Sequence, residues 1–208
     1  MKELLTSIES LKDSNISSVI YARIKEFSEI REFGIEKIFE ELCFCILTAN
    51  CAAKSCIEVQ KRINTGFLKY SEEELRSKFK EYGYRFPNIR AKYIVEARNH
   101  VLDIKKKINS SIDEMMIREW LVKTIKGLGY KEASHFLRNI GFKNIAIIDF
   151  HIIDLLDKFG IIQKPKTLTK KKYTEIEQIL KIIGARVNLD LDELDLYLWY
   201  METNEVLK

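Results

Sequence analysis

Two residues in this chain invite a chemical reading, Lys131 and Asp149. Lys131 follows Ile125-Lys126-Gly127-Leu128-Gly129-Tyr130, a stretch whose two glycines let the backbone take positive φ and bring amides to the surface. It falls in the first turn of a helix that continues through Ala133, Phe136, Leu137 and Ile140. A helix N-terminus presents unpaired N–H groups and a positive dipole end, so the stretch reads as a small clamp for a phosphate. The same dipole disfavours an ammonium at Lys131 and favours the free amine that attack on a sugar carbon requires. Asp149 follows the apolar run Ala146-Ile147-Ile148, at the expected start of another helix, where a carboxylate is favoured. An amine and a carboxylate beside one phosphate clamp suit base excision. The aspartate would stabilise positive charge building on a deoxyribose. The lysine would attack C1′ and continue through a Schiff base to strand cleavage. Taken singly, Lys131 reads as a surface lysine, Asp149 as an N-cap and the Gly-x-Gly as a plain turn between helices. Their combination carries the chemistry.

The elements that must position these groups repeat at helical period. Ile35, Ile38, Phe39, Leu42 and Ile46 make one apolar stripe that runs into Thr48-Ala49-Asn50, and Cys56, Val59, Ile63 and Phe67 make a less regular one. Ser71 followed by three glutamates predicts an N-cap with an acidic first turn, ending at Tyr82-Gly83. After Phe86-Pro87 the positions Ile89, Tyr93, Ile94, Ala97 and Val101 predict one long helix reaching Lys105-Lys106-Lys107. Another starts at Ser111-Ile112-Asp113 and runs through Met115, Ile117, Trp120, Leu121 and Ile125, and Leu128 is expected to tuck between it and its successor. Helices follow at about 130–140, 149–158, 170–185 and 190–203. Two-residue alternation is nearly absent, so the fold class is all-α.

Composition agrees. Of 208 residues only 8 are Gly and 2 are Pro, too few for a collagen-like chain, a flexible linker or a many-turned β-sandwich, and 46% are hydrophobic, too many for a disordered one. The net charge of +4 divides unevenly. Residues 76–108 hold ten basic and three acidic side chains, and residues 188–208 hold six acidic and one basic. Each run is readable as a solvated helix face, but the basic block also raises the prospect of a phosphate-rich partner. No apolar run approaches the length of a membrane span, and the first residues do not pattern as a secretory signal. Cys43, Cys45, Cys51 and Cys56 crowd one window at spacings that match no zinc or iron–sulfur pattern, so reduced thiols in the cytoplasm and no metal site are expected.

These strings resemble the helix–hairpin–helix DNA glycosylase superfamily. Within it, Glu41 to Asn50, Tyr84-Arg85-Phe86, Lys131 to Asn139, Asp195 to Tyr200 and the C-terminal Lys208 are similar to the archaeal-type (second) class of 8-oxoguanine DNA glycosylase/AP lyase. The resemblance implies an endonuclease III-like pair of helical domains with a DNA-binding cleft between them. One domain would hold residues 37–148 with the helix–hairpin–helix at about 117–140. The other would join 1–36 to 149–208. It implies that Lys131 forms the Schiff base and that Asp149 is the catalytic aspartate. Gly127 and Gly129 would grip DNA, Asn50 would fill the space left by a flipped nucleotide, and Phe86 would wedge the opposite strand. Trp199 would wall the base pocket, and Lys208 would distinguish 8-oxoguanine from guanine. The damaged base differs at C8 and carries an N7–H donor, so one matched acceptor gives useful discrimination. The expected partner is double-stranded DNA with 8-oxoguanine or an abasic site, met by a monomer in a prokaryotic cytoplasm near the nucleoid. No cofactor is required, and no iron–sulfur cluster is expected because no cysteine follows Cys56. Phe150 stands where many relatives carry a basic residue after the aspartate, which leaves no side-chain cation for a phosphate or ion-pair contact there and does not touch the chemistry of Asp149. Two alternatives stay open, another lesion specificity on the same fold and a non-catalytic DNA-binding module.

Overall fold

The computed structural model describes residues 1–208, all of whose regular structure is helical. Thirteen α-helices follow one another: α1 (Lys2–Lys12), α2 (Ile16–Ile30), α3 (Ile35–Thr48), α4 (Ala53–Ile63), α5 (Gly66–Lys69), α6 (Glu72–Glu81), α7 (Pro87–Ala97), α8 (Val101–Ile108), α9 (Glu114–Thr124), α10 (Tyr130–Asn139), α11 (Phe150–Lys158), α12 (Lys170–Val187) and α13 (Leu191–Thr203). None is long and apolar enough to cross a membrane. The chain divides into a central unit, Glu29–Ile140, and a terminal unit made of Met1–Ser28 and Gly141–Lys208. The division falls at Ser28 and Ile140 rather than at 36 and 148. The reason lies in residues 141–148, whose backbone is tied to the terminal unit. A Cβ on Gly141 would lie 2.9 Å from the Cα of Ser28, so only glycine, at φ +84°, lets the chain pass there.

In the central unit α3 is the axis. Every residue from Ile38 to Thr48 is buried, so the expected stripe is in fact a helix covered on all sides, by α4, α5, α7, α8 and α10. Two of its buried polar groups are tied to neighbouring helices. Gln60 Nε2 donates to the carbonyl of Glu40 (3.0 Å) and to Glu41 Oε1 (2.9 Å), and Asn139 Nδ2 donates to Glu41 Oε2 (3.0 Å), which joins α3, α4 and α10. The Ser71 cap is a full capping box with Glu74. The long helix expected from Ile89 to Lys107 is interrupted by a 3₁₀ turn at Arg98–His100. There the Arg98 guanidinium donates to the carbonyls of Phe67 (2.8 Å) and Tyr70 and draws the chain toward α5. The helix expected to start within Ser111-Ile112-Asp113 begins at Glu114, capped by Asp113, which accepts from the Met115 amide (2.8 Å).

The terminal unit packs α1, most of α2, α11, α12 and α13. Ile20, Phe27, Leu196 and Tyr197 form a buried cluster with Leu11, Ile16, Ile24, Leu189 and Val206 around it. Lys12 Nζ donates to the Val187 carbonyl at the end of α12 (2.6 Å), where a cation meets the negative end of the helix dipole.

Candidate DNA-binding face and active site

The hairpin belongs to the central unit. Helix α9 ends as Ile125 turns extended, the Leu128 amide closes back on the Ile125 carbonyl (3.3 Å), and α10 begins after Gly129. Leu128 is buried, as expected of the residue that holds the hairpin shut. The two glycines are not equivalent. Gly127 sits at φ +88°, and a Cβ there would lie 2.6 Å from the Tyr93 ring and 3.3 Å from Arg90 Nη1. Gly129 has φ −90°, open to any residue, and its Cβ would meet only the far end of Glu132 at 3.0 Å. Its amide is also not free, as the expected clamp required. It donates to Glu132 Oε2 (3.1 Å), one half of a capping box whose other half a side-chainless glycine cannot make. Lys131 Nζ lies 3.5 Å from the second oxygen of the same carboxylate. The helix dipole at Lys131 is therefore opposed locally by a full negative charge.

Asn50 and Phe86 meet this hairpin through Arg90. Arg90 is buried on α7, donates to the Ala49 carbonyl (2.9 Å) and lies within 6 Å of the ring centres of both Phe86 (5.8 Å) and Tyr93 (5.7 Å). Asn50 is exposed just past α3 with φ +60°, a conformation asparagine tolerates better than most residues. Arg85 stacks on Phe86 at 4.9 Å and reaches the Asn50 carbonyl at 3.4 Å. Burial, and then the neighbouring Cys51 thiol, push the Cys56 thiol up, while the charges of Lys131 and Arg90 pull it down. Asn50, Phe86 and Gly127 are thus joined through Arg85 and Arg90 in the central unit. None of the four cysteines is in a disulfide, and three of them are buried.

Asp149 belongs to the terminal unit. The segment leading to it is extended and buried, which leaves backbone groups to be satisfied from α12. Glu177 Oε1 accepts from the Ala146 amide (3.0 Å). The Tyr173 hydroxyl accepts from the Ile148 amide (3.1 Å) and donates to the Ala146 carbonyl (2.8 Å). Both side chains are buried and hold Asp149 at the end of a rigid strut. Asp149 caps α11, with Oδ1 accepting from the Ile152 amide (3.1 Å), and is partly exposed. Phe150 is 64% exposed. Its ring lies 4.0 Å from that of His151, and His151 meets Trp199 edge-on at 4.8 Å. Asp149 and Trp199 therefore stand at two ends of a short aromatic run. Lys208 lies partly buried beyond α13 in the same unit.

Four residues with positional roles escaped the sequence reading. Glu132 had a signal, since an acidic residue three positions after a helix start marks a capping box. Arg90, Tyr173 and Glu177 act across 25 to 41 residues of sequence, and no local pattern reports that.

The chain is similar to known proteins over nearly its whole length. The family model described as 8-oxoguanine DNA glycosylase matches residues 20–189. A Korarchaeum cryptofilum protein named 8-oxoguanine DNA glycosylase/AP lyase is 50% identical over 207 residues, covering 99% of this chain and 98% of its own. A Methanocaldococcus jannaschii protein of the same name is 52% identical over 206 residues, covering 99% of each. The crystal structure of a Methanocaldococcus jannaschii 8-oxoguanine glycosylase/lyase in complex with a 15mer DNA containing 8-oxoguanine superposes with a TM-score of 0.96. It is 51% identical and covers 99% of this chain and 100% of that one. The 8-oxoguanine DNA glycosylase of Thermotoga maritima gives a TM-score of 0.93 at 39% identity, covering 100% and 99%. A family match across most of the chain and identities near one half over its whole length lead to one assignment: the chain belongs to the 8-oxoguanine DNA glycosylase family, on a helix–hairpin–helix fold.

Proposed function

We propose that this protein is a bifunctional DNA glycosylase and AP lyase that removes 8-oxoguanine from duplex DNA and cleaves the strand at the site left behind. The observation that carries this reading is the full-length similarity, at 51% identity, to an enzyme crystallised on DNA containing 8-oxoguanine. The local structure supports it with an amine and a carboxylate, each set at a helix start. Lys131 Nζ attacks C1′, and the bond from C1′ to the base breaks with its electron pair leaving on the base, which takes up a proton. Asp149 stabilises the positive charge that builds on the sugar as that bond lengthens. Transfer of the remaining amine proton to the ring oxygen opens the sugar and gives the imine. Loss of a C2′ proton then expels the 3′ phosphate, and hydrolysis of the imine returns Lys131.

Gly127 and the first turn of α10 present backbone amides for a DNA phosphate, and the basic side chains of residues 76–108 add long-range attraction. Asn50 fills the place of the flipped nucleotide, at an unstacking cost of a few kcal/mol, and Phe86 wedges the partner strand. Trp199 walls the base pocket, and Lys208 supplies the group that reads N7–H. The enzyme works as a monomer in the cytoplasm of a prokaryotic cell. It needs no cofactor, since its four cysteines lie in or beside α3 and α4 and none follows Cys56.

Incubation with a duplex holding one 8-oxoguanine, followed by borohydride, is the test. A covalent adduct that disappears in Lys131→Gln is the expected result. Absence of both adduct and base release would overturn the proposal in favour of a DNA-binding module, and adducts only with other damaged bases would reassign the lesion.

A further inference from the structure

Adjacent residues on a helix point about 100° apart and do not ordinarily meet. Lys131 and Glu132 are adjacent on α10, yet Nζ lies 3.5 Å from Oε1. The reason is the other carboxylate oxygen. Oε2 accepts from the Gly129 amide at 3.1 Å, which folds the Glu132 side chain back over the start of α10 and brings Oε1 toward the lysine. The carboxylate is only 14% exposed, against 27% for the Lys131 side chain. One group therefore grips both the hairpin backbone and the amine at the end of a stem with four rotatable bonds.

We infer that Glu132 is the positioning residue of Lys131, using one oxygen to fix the hairpin and the other to confine Nζ. This rests on the proposed role of Lys131 as the Schiff-base amine. Attack on a sugar carbon needs the nitrogen within about 3–3.5 Å and in line, and a lysine free to sweep its whole rotamer space meets that condition rarely. Glu132 shortens the search. It touches neither base nor sugar in this role and acts only through its neighbour.

Two substitutions separate its tasks. Glu132→Gln keeps an oxygen for the Gly129 amide and removes the charge that holds Nζ. Glu132→Asp keeps the charge, which the flexible lysine can follow, but is too short to hold the cap as well. Three quantities are measured: the melting temperature, the affinity for a duplex with a tetrahydrofuran abasic analogue, and the single-turnover rate of cleavage and borohydride trapping on a true abasic duplex. Glu132→Gln is expected to melt and bind like the wild type, within twofold in affinity, while trapping and cleavage fall at least tenfold. Glu132→Asp is expected to melt earlier yet trap within about threefold of the wild-type rate. Wild-type cleavage by Glu132→Gln would overturn the inference, since Glu132 would then be only a cap. So would a loss of cleavage matched by an equal loss of affinity. Adduct formation by the wild type, absent in Lys131→Gln, tests the underlying reading separately. If that control fails, the proposed function falls; if it succeeds and Glu132→Gln cleaves normally, only the positioning role does.

Discussion

Alanine at Gly127 and at Gly129 will have unequal effects, although the two glycines look interchangeable in sequence. At Gly127 the backbone has φ +88°, where an L side chain costs about 1–2 kcal/mol, and the new Cβ would sit 2.6 Å from the Tyr93 ring. Carbon atoms rest at about 3.5–4.0 Å, so the ring must retreat by about 1 Å, and overpacking of that kind costs about 1–3 kcal/mol. Tyr93 cannot retreat freely, because Arg90 is packed against it. At Gly129 the φ of −90° suits alanine, and the Cβ would press only on the tip of Glu132. Its cost is the weakening of one cap, about 0.5–1 kcal/mol. Near 200 residues, 1 kcal/mol moves a melting temperature by about 2–4 °C. Gly127→Ala should therefore melt roughly 4–20 °C below the wild type, and Gly129→Ala no more than about 4 °C below. On a tetrahydrofuran abasic duplex, Gly127→Ala should lose tenfold or more in affinity and Gly129→Ala less than threefold. A Gly129→Ala protein that melts earlier than Gly127→Ala would refute the reasoning.

Other tests address the rest of the molecule. Gln60→Leu removes a donor from both the Glu40 carbonyl and Glu41 Oε1, so stability should fall by about 1–3 kcal/mol in urea melts. Burial pushes the Asp192 carboxyl from 3.8 up to about 7, so the folded state holds that proton more tightly than the unfolded one. Its stabilising contribution is full below about pH 4 and is lost as pH rises toward 7. Asp192→Asn should flatten that decline and stabilise the protein at pH 8 by a few kcal/mol. Asp149→Asn keeps an acceptor for the Ile152 amide, so it should fold normally while base release falls about a hundredfold or more. Deleting Lys208 should cut the preference for 8-oxoguanine over guanine by about tenfold and leave cleavage of abasic sites within twofold, read by gel assay on paired duplexes.

The elements were legible where they obey local rules. The Ser71 N-cap, the burial of Leu128 and the start of α11 at Asp149 follow from neighbouring residues. Local periodicity misled between Ile89 and Lys107, because the break at Arg98 is set by carbonyls at positions 67 and 70. It also understated α3, whose Cys43, Phe44, Cys45 and Leu47 are buried with the expected stripe. A helix enclosed on every side shows no polar face to mark its phase. The residue types of the proposed site could be named from their spacing, but the unequal roles of Gly127 and Gly129 could not, since both fit a Gly-x-Gly turn. The difference lies in Tyr93, distant in sequence, and in Glu132, whose side chain folds back onto the Gly129 amide.

What unites the face of the central unit is the end of α3. The last carbonyls of a helix lack intrahelical partners and must be satisfied from elsewhere. Here the Leu47 carbonyl accepts from the Tyr84 hydroxyl (2.7 Å), the Ala49 carbonyl from Arg90 (2.9 Å) and the Asn50 carbonyl from Arg85 (3.4 Å). Three side chains from one seven-residue stretch finish a helix that ends more than thirty residues earlier, and two of them bring cations to its negative end. The same stretch carries Phe86, and Arg90 also backs Gly127. Asn50, Phe86 and the hairpin are therefore set by one hydrogen-bonding requirement. Because that requirement must be met whenever α3 is folded, the proposed DNA-contacting residues are preorganised before any duplex arrives, and binding need not supply their ordering.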